Sequence, residues 1–165
     1  MGLMVGGMLV SVVGQAVAGI LVIMWLLRAR ANADALYSAP HRLAAGWAIG
    51  SWFVPIGNLF LPVVVVVDVV KASNPTGQSI PQVWLWWAGW IGGSLATPIG
   101  FTALLMSDPL TRRGPAALAV FLLIAAVLYS LAAFAFTGIA KKVAEWQDGQ
   151  RGTGPLEQSG KRAGS

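Results

Sequence analysis

The chain has 165 residues, 56% of them apolar and 10% charged, with a net charge of +5 and no cysteine. Soluble domains carry about 25% charged residues, so this composition excludes an ordinary soluble domain, and the lack of cysteine excludes disulfides and thiolate metal sites. The positive charge gathers at the ends of apolar blocks, where headgroups and membrane topology account for it without nucleic acid.

Four apolar blocks, residues 3–27, 43–70, 82–106 and 115–140, each exceed the ~20 residues that cross ~30 Å of hydrocarbon. The first has no basic residue before it and Arg28 and Arg30 directly after it, the reverse of a cleavable signal. Gly7, Ser11, Gly14 and Ala18 share one helical face, which predicts close approach of a neighbouring helix. Good helix formers continue past Arg30, so a helix is predicted over residues 3–37, ended by Pro40. Arg28, Arg30 and Asn32 are then juxtamembrane candidates for lipid phosphate or for capping the next segment, and Arg42 and Lys71 flank that segment in the same way. His41 is the single histidine and has no second ligand near it in sequence, so neither a metal site nor a cofactor is expected.

The second block, residues 43–73, is apolar but interrupted. Pro55 and Pro62 each remove a backbone donor, Gly57 loosens the chain between them and Asn58 adds a side-chain amide. A broken helix is predicted. Backbone groups freed in hydrocarbon are tolerated only where protein or water satisfies them. Trp47, Trp52, Pro55, Asn58, Pro62 and Asp68 are therefore the candidate functional centre.

The third block predicts a helix over residues 82–106 that opens with Trp84, Trp86, Trp87 and Trp90, a spacing suited to the headgroup level. Gly89, Gly93 and Ala96 continue it as a small-residue packing face, and Pro98 predicts a kink. The fourth block predicts a helix over residues 115–142, with Pro115 in its first turn and Lys141 and Lys142 at its end. Residues 147–165 are Gly-, Gln- and Ser-rich, which predicts a disordered, mobile cytoplasmic tail beyond a membrane domain of residues 1–146.

The charges favour one topology. With four full crossings the basic residues divide almost evenly between the two faces. If the second block turns back to the side it came from, Arg28, Arg30, Arg42, Lys71, Lys141, Lys142, Arg151, Lys161 and Arg162 all lie inside, with only Arg112 and Arg113 outside. The re-entrant arrangement also carries Asp68 back toward the cytoplasmic surface, with Lys71 three residues on.

Arg28-Ala-Arg30-Ala-Asn32, the run GWAIGSWFVPIGNL from Gly46 to Leu59, Pro62, Asp68, Lys71-Ala72-Ser73 and the Trp86-Trp87 pair together resemble the bacterial DUF4328 domain, over about residues 21–140. That resemblance implies an integral membrane protein and brings no activity with it. Relatives carry one further apolar segment before the first block, and a mixed polar stretch where this chain has Val63 to Val67.

The expectation is an all-α polytopic membrane helix bundle, with three full transmembrane helices, one Pro/Gly-broken re-entrant segment and a mobile C-terminal tail, in the bacterial inner membrane. No GxSxG, HExxH, paired carboxylate or phosphate loop points to an enzyme. The expected role is a non-enzymatic scaffold that meets membrane lipids and a second copy or another membrane protein. The alternative is a small channel or transporter that holds a solute around Pro55, Asn58 and Pro62.

Overall fold

The computed structural model of the chain describes residues 2–36, 43–44, 46–54, 56–76, 79–108 and 110–163. Every element among them is helical: α1 (Gly2–Leu36), α2 (Trp47–Gly50), a 3₁₀ turn (Ile56–Leu59), α3 (Leu61–Ser73), α4 (Pro81–Leu105) and α5 (Arg113–Ala163). Three stretches, Val12–Ala35, Pro81–Leu105 and Arg113–Arg151, are long and apolar enough to cross a membrane. The helices expected over residues 3–37 and 82–106 are thus found within a residue of their predicted bounds. α5 continues past Lys142 and is helical to Ala163. From Val143 to Arg151 the good helix formers Glu145, Gln147, Gln150 and Arg151 outweigh Gly149.

The chain forms two compact units. The first holds Met1–Gly77 with Val143–Ser165, and the second Gln78–Lys142.

At the centre of the first unit lies α3, which packs against α1, α2 and the 3₁₀ turn. Val63, Val65, Val66, Val67, Val69 and Val70 are all buried, so most of the helix surface is covered, with Leu61, Val64 and Lys71 half-buried. A run of β-branched residues has weak intrinsic helix preference, and burial rather than propensity holds it helical. Pro62 stands in its first turn, where no backbone donor is needed. The facing stripe of α1 is Val22, Leu26, Ala29 and Ala33, at spacings of four, three and four. Earlier on α1, a Cβ at Gly14 would meet nothing within 4 Å, so the small-residue face predicted there has no partner at that position among the described residues.

In the second unit α4 and α5 run antiparallel. A Cβ added to Gly89 would stand 2.8 Å from the Leu128 carbonyl oxygen and 3.1 Å from the Ala132 Cβ, one on Gly93 would stand 2.8 Å from the Tyr129 ring, and one on Gly100 2.7 Å from the Phe121 Cβ. The glycine face predicted on the third block is therefore where the two helices meet. α4 runs on through Pro98, and the Thr97 and Thr102 hydroxyls donate to the Gly93 and Pro98 carbonyls at 3.2 and 2.9 Å. In the turn that joins the pair, the Asp108 carboxylate accepts from the Leu110 N–H at 2.9 Å.

Candidate functional site

The predicted break in the second block is present. α2 has four residues, Ser51 to Val54 form turns, and the 3₁₀ turn follows before α3 begins. The chain satisfies its own freed donors with short-range bonds: Trp52 N–H to Ile49 O and Phe53 N–H to Gly50 O, both 3.1 Å, Asn58 N–H to Val54 O at 2.7 Å and Phe60 N–H to Gly57 O at 2.9 Å. Gly57 is tight against its neighbours, since a Cβ there would come 2.8 Å from both the Leu61 and Val54 side chains.

The outer surface of this broken segment is strongly apolar. Phe53, Ile56 and Phe60 are 76%, 78% and 62% exposed, and Trp47, Ile49, Val54 and Leu59 are exposed as well. Trp52 is half-buried and Asn58 is exposed. Pro55 and Arg42 lie outside the described residues. Asp68 is buried on α3 at 6% exposure.

Five buried polar or charged residues occur among those described, Arg30, Ser51, Asp68, Ser73 and Gln147, and all belong to the first unit. Gln147 is the hub. Its Nε2 donates to the Ala29 carbonyl at 2.9 Å and to Ser73 Oγ at 2.8 Å, and its Oε1 accepts from Asn32 Nδ2 at 3.2 Å. Asn32 Oδ1 in turn accepts from Arg151 Nη2 at 2.8 Å, and Arg151 lies 3.8 Å from the exposed Asp148 carboxylate. Both amide donors of Gln147 are occupied, as a buried amide requires. One side chain of α5 thereby fastens the polar end of α1 to the last turn of α3.

Arg28, Arg30 and Asn32 were predicted as one group, and they separate. Arg28 is exposed, Asn32 belongs to the Gln147 cluster, and Arg30 is buried at 6% exposure with Nη2 donating to the Leu43 carbonyl. Arg30 thereby holds the chain at Leu43, at the head of the broken segment. Lys71 is half-buried in the last turn of α3.

Sequence reasoning missed Gln147, Ser73 and Arg151. The signal was register: the buried face of α5 passes through Ala132, Ala135, Ile139 and Val143, and the next position four residues on is Gln147.

The four tryptophans do not make one interfacial belt. Trp84 is 57% exposed, whereas Trp86 and Trp87 are 1% and 7% exposed. Trp86 packs tilted against Trp87 and Phe136, with ring centroids 5.3 and 5.4 Å away, and Trp90 meets Tyr129 edge-on at 5.9 Å. Two of the indoles therefore serve the interior, because the helical turn from 84 to 90 points them in different directions.

A domain of unknown function, DUF4328, matches residues 2–147, which includes the broken segment and Gln147 with its partners Ala29, Asn32 and Ser73. The chain belongs to the DUF4328 family. The match ends on Gln147 itself, so the residue that ties α5 to α1 and α3 falls inside the DUF4328 domain. No curated protein and no solved structure matches the chain.

Proposed function

We propose that this DUF4328 protein is a non-enzymatic scaffold of the bacterial inner membrane whose residues 43–73 enter the bilayer and return to the cytoplasmic face, where the C-terminal part of α5 also lies. One observation carries the reading. Gln147 holds Ala29 of α1 and Ser73 of α3 together, so the chain leaves α1 and completes α3 at the same end of the first unit. The length of α3 supports it: with 13 residues it spans about 20 Å, short of ~30 Å of hydrocarbon. The exposed Phe53, Ile56 and Phe60 supply the lipid-facing surface that a dipping segment needs. The basic residues fall largely on one face in this arrangement.

In this reading the buried polar groups hold helices together, and the protein works by presenting surfaces to lipid and to a second copy or another membrane protein. Asn58 faces outward rather than into a protein-lined space, which favours this role over solute holding.

The absence of native cysteine makes a direct test clean. Single-cysteine variants at Thr76, Asp148 and Thr111 are labelled in inverted and right-side-out inner-membrane vesicles with an impermeant maleimide. Thr76→Cys and Asp148→Cys should react from the cytoplasmic face and Thr111→Cys from the other; reaction of positions 76 and 148 from opposite faces would overturn the topology. The scaffold role is tested by native mass spectrometry of the protein extracted in mild detergent. Bound lipid or a second subunit is expected, and bare monomer throughout would reject it.

A further inference from the structure

We infer that Arg30 is the cationic half of a binding site for a phosphate group, carried by an anionic lipid headgroup or present as free phosphate. The inference rests on the proposed topology only for the lipid as source. Arg30 is 6% exposed, yet of its donor nitrogens only Nη2 has a partner, the Leu43 carbonyl, while Nε and Nη1 are buried with none. A guanidinium keeps its charge at any physiological pH, so it cannot neutralise itself to escape burial. A buried cation without a counter-charge costs several kcal/mol, and buried donors left unmade add to that. Among the described residues no carboxylate is hydrogen-bonded to Arg30. The charge and the empty donors both call for an anionic oxygen from outside the chain.

A second orphan lies on a neighbouring element. Ser51 is fully buried at the end of α2, its Oγ has no partner, and α2 packs against α1. A guanidinium and a hydroxyl are the donor types that hold phosphate oxygens. The location suits a headgroup, since the large exposed apolar side chains described on α1 end at Leu27, one turn before Arg30. The broken segment begins at the same place, because Arg30 holds its Leu43 carbonyl. A phosphate there would bind beside the point where the chain turns into the bilayer.

The test uses the full chain in a phosphate-free maltoside detergent, titrated separately with short-chain phosphatidylglycerol, inorganic phosphate and an uncharged short-chain diacylglycerol, with binding read by calorimetry. Wild-type protein should bind phosphatidylglycerol and not diacylglycerol. Arg30→Gln should bind it at least about ten-fold more weakly, the loss that follows from removing one charged hydrogen-bonding partner. Arg30→Lys, which keeps the charge but not the planar set of donors, should fall between them, and Arg112→Gln in the other unit should match wild type. Binding of inorganic phosphate as tight as that of the lipid would identify free phosphate as the source. The inference is overturned if wild type binds neither anion, a result that stands even if Arg30→Gln does not fold, or if Arg30→Gln or Arg30→Lys binds as well as wild type. Such a failure with positions 76 and 148 still labelled from one face would sink the anion site and leave the topology intact.

Discussion

Gln147 Nε2 donates to Ser73 Oγ across 2.8 Å, joining the last turn of α3 to a residue 74 positions further along the chain. The same amide group holds the Ala29 carbonyl and accepts from Asn32, so one side chain closes three helices. Replacing Gln147 with Leu keeps the volume approximately but leaves Ser73 Oγ and Asn32 Nδ2 without that partner. Each buried polar group left unmade costs about 1–3 kcal/mol. Gln147→Leu should therefore lower the thermal midpoint in detergent by several degrees, read by circular dichroism, whereas Gln150→Leu on the exposed face should not. Equal midpoints for the two variants would show that the cluster contributes nothing to stability.

Truncation separates the helix from the tail it was expected to be. A chain ending after Arg151 keeps Gln147, its three partners and the Arg151 to Asn32 bond at 2.8 Å. One ending after Glu145 loses all of them. The longer product should unfold at the wild-type midpoint and the shorter well below it, with faster proteolysis between α1 and α4. Identical behaviour of the two products would mean that residues 146–151 of α5 are dispensable to the first unit.

The broken second block was legible because proline and glycine act locally: Pro55, Gly57 and Pro62, crowded into eight residues, each weaken a helix there. The glycine face of α4 was legible for a similar reason, since Gly89 and Gly93 recur at one-turn spacing. The valine run of α3 was harder. Five consecutive valines suit a spanning helix, a strand or a buried helix equally in pattern, and only the packing of α1 and α2 around them decides. The burial of Asp68 was not legible for that reason, because it depends on helices distant in sequence. The Gln147 cluster was invisible to composition: Gly, Gln and Arg after Trp146 look like a solvated tail, and the partners are 74 to 118 residues away.

The tryptophans give a prediction with opposite outcomes inside one motif. Trp86 is buried against Trp87 and Phe136, so Trp86→Ala should cost about 3–5 kcal/mol and abolish or greatly lower the unfolding midpoint. Trp84 is 57% exposed, and Trp84→Ala should leave the midpoint within a degree or two. Brominated lipids should quench the fluorescence of a Trp84-only variant more strongly than that of a Trp86-only variant. Equal quenching would place both indoles at the lipid surface and contradict the packing.

The glycines of α1 and α4 look alike in sequence and should behave oppositely. Gly89 faces a backbone oxygen at 2.8 Å, which cannot swing aside as a side chain can, so Gly89→Ala must push α4 and α5 apart. Overpacking of this kind costs about 1–3 kcal/mol. At Gly92 the nearest atom is a terminal methyl of Leu128 at 3.0 Å, which can rotate, and Gly92→Ala should cost clearly less than Gly89→Ala. Gly14 meets nothing within 4 Å, and there alanine should stabilise by up to about 1 kcal/mol through the lower entropy cost of fixing the helix. Thermal midpoints in the order Gly14→Ala, wild type, Gly92→Ala, Gly89→Ala, from highest to lowest, are expected. Loss of stability in Gly14→Ala comparable to that in Gly89→Ala would mean that a second helix, from another copy or another protein, occupies the α1 face in the assembled protein.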